Sequence, residues 1–410
     1  ARRGDEYVPY VGSGPGGSSA LYGMSLERMF PSDFESWPIS YDELKPWYAV
    51  AERLYRVRGT QDPLRTEPAD HLLAPPPLSA ANRRIFEHLA GIGLHPYRLH
   101  LACEHVAGCR LCQGHLCDAA CKNDAVRVCL EPALGQGHVK LVTGAHVTNL
   151  EVNHRNLSAV HADVDGTSHR FEAKVVVLAA GALASPVLLL SSGLPDSSNL
   201  VGRRLMRHAI DLFVLRKAPP AETPGDSKEL GLNDFYEDPE KLGTVQSFGL
   251  APPYEYLRNQ PGRNLWRWMG PLGPLVARRF ARAPIVAGIL EDSPDPDNRV
   301  EPGVIAYRLG ADDTRRRVLL RQQLRQAFSR FGPVLITGTD DRKGLGHVCG
   351  TCRFGTNPQS SVLDEWNRMH GIDNLYVTDA SFFPTSAGVN PALTIAANAL
   401  RVANELKRRL

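Results

Sequence analysis

The chain has 410 residues, 43% hydrophobic and 22% charged, and its 47 basic and 44 acidic side chains leave a formal charge of +3. That is the composition of a soluble globular protein with room for two substantial cores. A balance this close to neutral excludes a broad electrostatic footprint for nucleic acid or anionic lipid, and no apolar run reaches the roughly 18–20 residues that span a bilayer. The opening residues, Ala1 to Glu6, lack the apolar core of a secretion signal, which favours a cytoplasmic location.

In chain order, residues 7–11 read as an extended segment leading into a glycine-rich loop over 12–19. Ser40 and Glu43 are spaced as a capping box, with Leu44, Trp47, Ala51 and Leu54 on one face, so a helix is expected there, kinked at Pro46. Residues 62–96, rich in proline and charge and containing Pro75-Pro76-Pro77, read as a surface excursion. Alternation over 139–152 and 160–164, with a turn at Asp165 and Gly166, predicts a small antiparallel sheet. The apolar run 174–180 predicts a strand buried on both faces, followed by a helix over 186–190. From 207 to about 344 no clean periodicity appears, and this stretch is assigned to a second domain. A further buried strand is expected over 374–378. A last helix opens at Asn390 and Pro391, with Leu393, Ala396, Leu400 and Ala403 on its inner face.

Six of the eight cysteines fall between Cys103 and Cys129. Cys109, Cys112, Cys117 and Cys121 form C-x2-C-x4-C-x3-C, a spacing that suits an iron–sulfur cluster because its thiolates sit close together on one loop. Structural or unpaired thiols are the default reading against it, and zinc is the other metal reading. A zinc knuckle, with nucleic acid as partner, is the remotest alternative, because His115 is misplaced for the knuckle pattern and no basic patch accompanies it.

His347 is the candidate base. Oxidising an alcohol needs a group that takes the O–H proton near neutral pH as hydride leaves the carbon, and imidazole is suited to that task. Asn390 can hold the substrate oxygen, and the helix it introduces offers a positive dipole end to negative charge. Against these stand plainer roles, a core histidine and an asparagine N-cap. Gly12, Gly14 and Gly17 spell G-x-G-x-x-G, but no second strand ending in an acidic residue follows about 20 residues on, so a dinucleotide fingerprint is not read there.

Three stretches carry a family resemblance. His347-Val348-Cys349-Gly350-Thr351, Arg353-Phe354-Gly355, Ser361 to Asp364 and the run 374–398 resemble the C-terminal signature of glucose-methanol-choline (GMC) oxidoreductases. Gly181, Ala182, Ser185, Pro186, Leu188, Leu189, Ser192 and Gly193 resemble a second signature of that family, departing at Pro195. Gly16-Gly17-Ser18-Ser19-Ala20-Leu21 resembles a third, with Tyr22 where asparagine or histidine is usual. Val201, Gly202, Arg203, Leu205, Met206 and His208 resemble the family's passage into its substrate domain.

The resemblance implies an α/β chain, α+β overall. A Rossmann-like FAD-binding domain would be built from residues 1–25, 139–206 and 344–410, and an antiparallel-sheet substrate domain from 207–343. Residues 26–138 would supply a helix, the proline-rich excursion and the cysteine-rich loop. It further implies FAD as cofactor, His347 as base with Asn390 as its partner, and Gly16, Gly17, Ser18 and Ser19 near the isoalloxazine ring. Val147, Ala180, Gly181, Asp379, Ala380, Asn390, Pro391 and Thr394 are implied as further cofactor contacts.

The implied reaction is oxidation of a CH–OH group on a sugar- or polyol-like alcohol, with the electron acceptor open. Cys112, Cys117 and Cys121 with Ala125 also resemble the cluster-bearing insertion of some bacterial FAD sugar dehydrogenases, although Lys122 and Asp124 depart from it. The family's pyrophosphate-binding βαβ unit has no counterpart in the sequence. The expectation is therefore that the chain alone binds FAD weakly or not at all, and an inactive or split flavoprotein fragment is the alternative to an active enzyme.

Overall fold

The computed structural model describes residues 7–221, 228–238, 240–250, 268–278, 282–337 and 344–410. After β1 (Val8–Pro9) and a 3-10 turn at Gly17–Ala20 come α1 (Tyr41–Leu54), α2 (Ala80–Gly91), β2 (Tyr97–Arg98) and α3 (Glu131–Gly135). A meander follows, β3 (Ala145–Asn153), β4 (Asn156–Val164) and β5 (Thr167–Phe171), then β6 (Val176–Leu178) and α4 (Gly181–Ser191). The middle holds β7 (Ala209–Leu215), β8 (Leu230–Leu232), β9 (Thr244–Leu250), α5 (Leu272–Arg278) and β10 (Pro284–Leu290). Next are β11 (Arg299–Glu301), β12 (Val304–Ala306), α6 (Ala311–Ala327) and β13 (Pro333–Thr337). The chain closes with β14 (Gly344–Leu345), β15 (Leu375–Val377) and α7 (Ala392–Arg409).

Two parallel pairs, β1 with β14 and β6 with β15, join the early and late chain. The largest sheet has the order β13-β7-β10-β9-β8-β2 and is antiparallel throughout. Both of its faces are covered. Phe213, Leu215 and Val286 join Leu320, Leu324 and Phe328 on one side, while Leu212, Val214 and Ile285 form the other core. Gly288 lets α6 press close, since a Cβ there would stand 2.7 Å from Leu324 Cδ1. Burial on both faces removes the period-two signal, which is why 207–344 reads as patternless.

Several local expectations hold and others shift. Ser40 and Glu43 make the reciprocal capping box, and α1 runs through Pro46 without a break. The hairpin turns at Asp165 and Gly166, both left-handed at φ 50 and 82. The stretch 62–96 is not all surface: Ser79 caps α2, and Ile85 and Leu89 enter the sheet's core.

Among the described residues, β6 has a single strand neighbour and leaves Val177 open, so the run expected to be buried on both faces is half covered. α4 starts at Gly181, well before Pro186, because a carboxylate just past the end of β15 caps it. α7 starts at Ala392, and its buried face is Leu393, Thr394, Ala397, Asn398, Arg401 and Val402. The helical period is therefore as expected but its phase is turned, with Ala403 exposed.

Candidate active site

Met206 and Cys349 exchange backbone hydrogen bonds, N to O at 3.0 Å in both directions. Counting two residues on from Met206 and two back from Cys349 sets His208 opposite His347 in the same antiparallel register. Their Nδ1 atoms lie 2.9 Å apart and their rings meet edge to face at 83°. His208 is buried and His347 half-buried. His347 holds a left-handed backbone, φ 54, which costs a non-glycine residue on the order of 1 kcal/mol. Burial, with the neighbouring His208 and Lys228, depresses its imidazole to about 3. The ring is neutral across the physiological range.

Asn390 ends a segment that the antiparallel sheet and its flanks hold tightly. Ser386 Oγ accepts from Asp292 N at 3.2 Å, Ala387 N donates to Glu291 Oε1 at 3.2 Å, and Gly388 N donates to Tyr236 OH at 2.8 Å. A Cβ at Gly388 would stand 2.9 Å from both Gly243 Cα and the Tyr236 ring, so only glycine fits this close approach. Gln246 Nε2, on β9, donates to Asn390 Oδ1 at 2.8 Å. With its oxygen so engaged, the Asn390 amide presents its NH2 group as a donor. It makes no side-chain cap on α7, which sets aside the plain N-cap role. Because His208 Nε2 reaches Ser386 O at 3.0 Å, His347 (through His208) and Asn390 are anchored to one short segment.

Lys228 lies 4% exposed, with its ammonium 5.7 Å from the Phe248 ring and 3.4 Å from Gln113 Oε1. Burial, with Lys122 nearby, lowers its amine to about 7. His208, Gln246 and Lys228 were not singled out as site residues from sequence. His208 was visible only as part of the family-like passage, and Gln246 and Lys228 lie in a region without a motif.

On the cofactor side, Gly16 and Gly17 are left-handed, φ 80 and 52, and the loop leads into one 3-10 turn, not into the long helix of a dinucleotide fingerprint. Ser18 Oγ accepts from Gly12 N, and Ser19 Oγ donates to Gly16 O while accepting from Ala125 N at 3.1 Å. Both hydroxyls thus shape the loop and tie it to the end of the cysteine segment.

Asp379 Oδ2 accepts from Gly181 N at 2.9 Å and from Ser185 Oγ, and Oδ1 accepts from Ser381 N at 2.9 Å. Its carboxylate therefore caps α4, next to Ala180, and the turn that begins at Ala380. Ala380 O accepts from Gly350 N at 3.1 Å, joining this turn to the segment that carries His347. Pro391 is the N-cap of α7. The Thr394 hydroxyl pairs with Tyr48 OH at 2.8 Å, on the side of α7 that meets α1. Val147 lies on β3, opposite Ala162, with an exposed side chain.

These residues fit a flavin at its ring end. A Cβ added at Gly14 or Gly181 meets nothing within 4 Å, so both glycines border open space. The first-turn N–H groups of α7 lack intrahelical acceptors, and Gln246 Oε1 is buried without a partner among the described residues.

The cysteines gather differently from the spacing-based set. Cys103 and Cys109 sulfurs lie 3.6 Å apart, Cys109 and Cys121 3.1 Å, and Cys117 and Cys121 3.3 Å. Cys103, absent from the expected set, belongs to the compact group with Cys109 and Cys121, whose sulfurs all lie within 4.8 Å of one another; Cys117 joins it through Cys121, and Cys112 borders Cys117. Cys103 enters because its backbone bridges to Lys122, beside Cys121, a pairing that no spacing rule reveals.

An imidazole, through His208, and an amide donor are thereby anchored to one short segment of the chain. Residues 4–210 and 296–399 match the family described as GMC oxidoreductase. The 6'''-hydroxyparomomycin C oxidase of Streptomyces lividus is 30% identical over 99% of this chain and 81% of its own length. The paromamine 6'-oxidase of Streptomyces fradiae is 30% identical over 97% and 79%. The crystal structure of pyridoxine 4-oxidase from Mesorbium loti shares the fold, with a TM-score of 0.66 and 19% identity over 96% of this chain and 83% of that one. The chain belongs to the GMC oxidoreductase family, and it is an FAD-dependent oxidoreductase acting on CH–OH groups. Among the described residues, no helix is long and apolar enough to cross a membrane.

Proposed function

We propose that this enzyme oxidises a CH–OH group of a sugar- or polyol-type alcohol, with His347 as the base and Asn390 as the donor that holds the same oxygen. The observation that carries this reading is the Gln246 to Asn390 hydrogen bond, which commits the Asn390 oxygen and leaves its NH2 group for the substrate. An alcohol oxygen can accept from that amide while giving its proton to the His347 nitrogen turned away from His208. Bound FAD supplies the acceptor for the hydride that leaves the carbon. The depressed basicity of His347 keeps the ring unprotonated and ready. The first turn of α7 offers N–H groups to negative charge at the flavin edge. Two relatives named as oxidases of paromamine and of 6'''-hydroxyparomomycin C support a polyhydroxylated substrate.

The test is anaerobic mixing of the FAD-loaded enzyme with a panel of sugars, cyclitols and simple alcohols while flavin absorbance is followed. Reduction by polyhydroxylated alcohols, and its loss in His347→Gln, is the expected result. Failure of every alcohol to reduce the flavin sinks the reading.

We infer as well that the cysteine nest is a thiolate metal centre built on Cys103, Cys109, Cys117 and Cys121. Three of these sulfurs lie within 4.8 Å of one another on one loop, a compact thiolate set that can gather around a metal. Assay of iron and acid-labile sulfide in the wild type and in Cys103→Ser and Cys129→Ser is the check. Loss of both in Cys103→Ser, with retention in Cys129→Ser, whose exposed thiol lies outside the nest, is expected. A wild-type protein without either, whose thiols all titrate freely, refutes it.

A further inference from the structure

Two imidazoles facing each other without a carboxylate between them leave little freedom for their protons. Nδ1 of His208 and Nδ1 of His347 are 2.9 Å apart, so one must donate and the other accept. The far side of His208 decides which. Its Nε2 lies 3.0 Å from Ser386 O, and a backbone carbonyl only accepts, so Nε2 of His208 carries hydrogen. That carbonyl is well fixed, because the Ser386 hydroxyl also engages Asp292, accepting from its backbone N at 3.2 Å. His208 is 3% exposed, and burial holds its imidazole down to about 4. Neutral and protonated at Nε2, it has a bare Nδ1. The hydrogen in the short contact therefore sits on Nδ1 of His347, and Nε2 of His347 is left with its lone pair.

We propose that His208 is a positioning residue that locks His347 in the Nδ1–H tautomer and so presents Nε2 as the proton acceptor. The consequence for catalysis rests on His347 being the base; the tautomer itself does not. When Nε2 of His347 takes the alcohol proton, the ring becomes imidazolium and its Nδ1–H bond to His208 becomes charge-assisted and stronger. A neutral imidazole in this place steers the base without adding a negative charge that would raise its basicity, unlike a carboxylate partner. The antiparallel register of Met206 with Cys349 supplies the alignment, so the lock is built into the backbone.

The direct test is the chain labelled with 15N-histidine at neutral pH. Long-range proton–nitrogen correlation spectra distinguish protonated from bare ring nitrogens. Among the 14 histidines, the two signals are assigned by their disappearance in His347→Gln and His208→Gln. The expected spectrum has His347 protonated at Nδ1 and His208 at Nε2. His347 protonated at Nε2 overturns the proposal, whether or not the enzyme oxidises alcohols.

The second arm uses the FAD-loaded enzyme. His208→Gln keeps an acceptor toward His347 and a donor toward Ser386, whereas His208→Leu removes both. His208→Leu is expected to lower kcat about 10- to 100-fold with little change in KM, and His208→Gln to recover most of it. Equal losses in the two variants, or none in His208→Leu, overturn the positioning role. Undiminished activity in His347→Gln would instead overturn the base assignment.

Discussion

The stretch from His347 to Arg409 and the antiparallel sheet standing over it serve the site in different ways. The first carries the reacting groups in a motif that reads clearly from sequence. The second has no motif, yet it supplies Gln246, Lys228 and the Asp292 and Glu291 contacts that fix the segment bearing Asn390. Chemistry is therefore concentrated in one short stretch of chain, whereas orientation comes from side chains far away in sequence. Substitutions on the motif side should abolish function, and those on the sheet side should weaken or retune it.

The largest expected effect lies on the motif side. His347→Ala removes the base and should lower kcat for flavin reduction by about 10²- to 10⁴-fold, with substrate affinity nearly unchanged, in single-turnover measurements. A loss of similar size from a sheet-side variant would erase the distinction drawn above.

Asp379→Ala comes next, and it tests folding more than chemistry. The change strands two backbone N–H groups and the hydroxyls of Ser185 and Ser381, all of which the carboxylate now accepts from. A loss of about 2–4 kcal/mol in urea unfolding is expected. Unchanged stability would show that Asp379 has no capping duty. On the sheet side, Gln246→Leu frees the Asn390 amide to rotate. It should cost about 10-fold in kcat/KM while leaving unfolding within about 1 kcal/mol of wild type. An enzyme indifferent to Gln246→Leu would remove the ground for treating Asn390 as a fixed donor.

What was legible follows the same division. The capping box at Ser40 and Glu43, the hairpin turn at Asp165-Gly166 and the helix after Pro391 are local chemistry, and each is present. The start of α4 was misplaced because its cap comes from Asp379, nearly 200 positions away. β7 and β10 escaped notice because a strand covered on both faces shows no alternation. The inner face of α7 came out one position off because Thr394, Asn398 and Arg401 are buried through polar contacts with Tyr48, Asn367 and the Glu365 carbonyl, which a purely apolar pattern passes over. Cys103 joined the sulfur nest through a bridge to Lys122, and His208 met His347 through a bridge between Met206 and Cys349. Long-range register is the shared cause, and spacing along one strand does not encode it.

The smallest expected effect is the most discriminating. Lys228 reaches His347 only through its charge, and it ranks behind burial and His208 among the causes that hold the imidazole down at about 3. Its own amine, lowered to about 7, is charged at the acid pH where His347 would take up a proton, so the repulsion is present where it counts. Lys228→Met removes that repulsion, and the protonated imidazole then forms more readily. Because only the unprotonated ring acts as base, activity should begin to fall at a higher pH than in wild type, while the rate at neutral pH stays nearly the same. The shift should be well under the full displacement of His347, since burial, the leading cause, is untouched. Lys228→Arg keeps the charge and should keep the wild-type acid limb. The pH profile of flavin reduction for the three proteins decides it. Coincident acid limbs in the Met variant and the wild type would mean that the sheet reaches the base through hydrogen bonds alone, and that the buried Lys228 ammonium has no electrostatic part in setting the base.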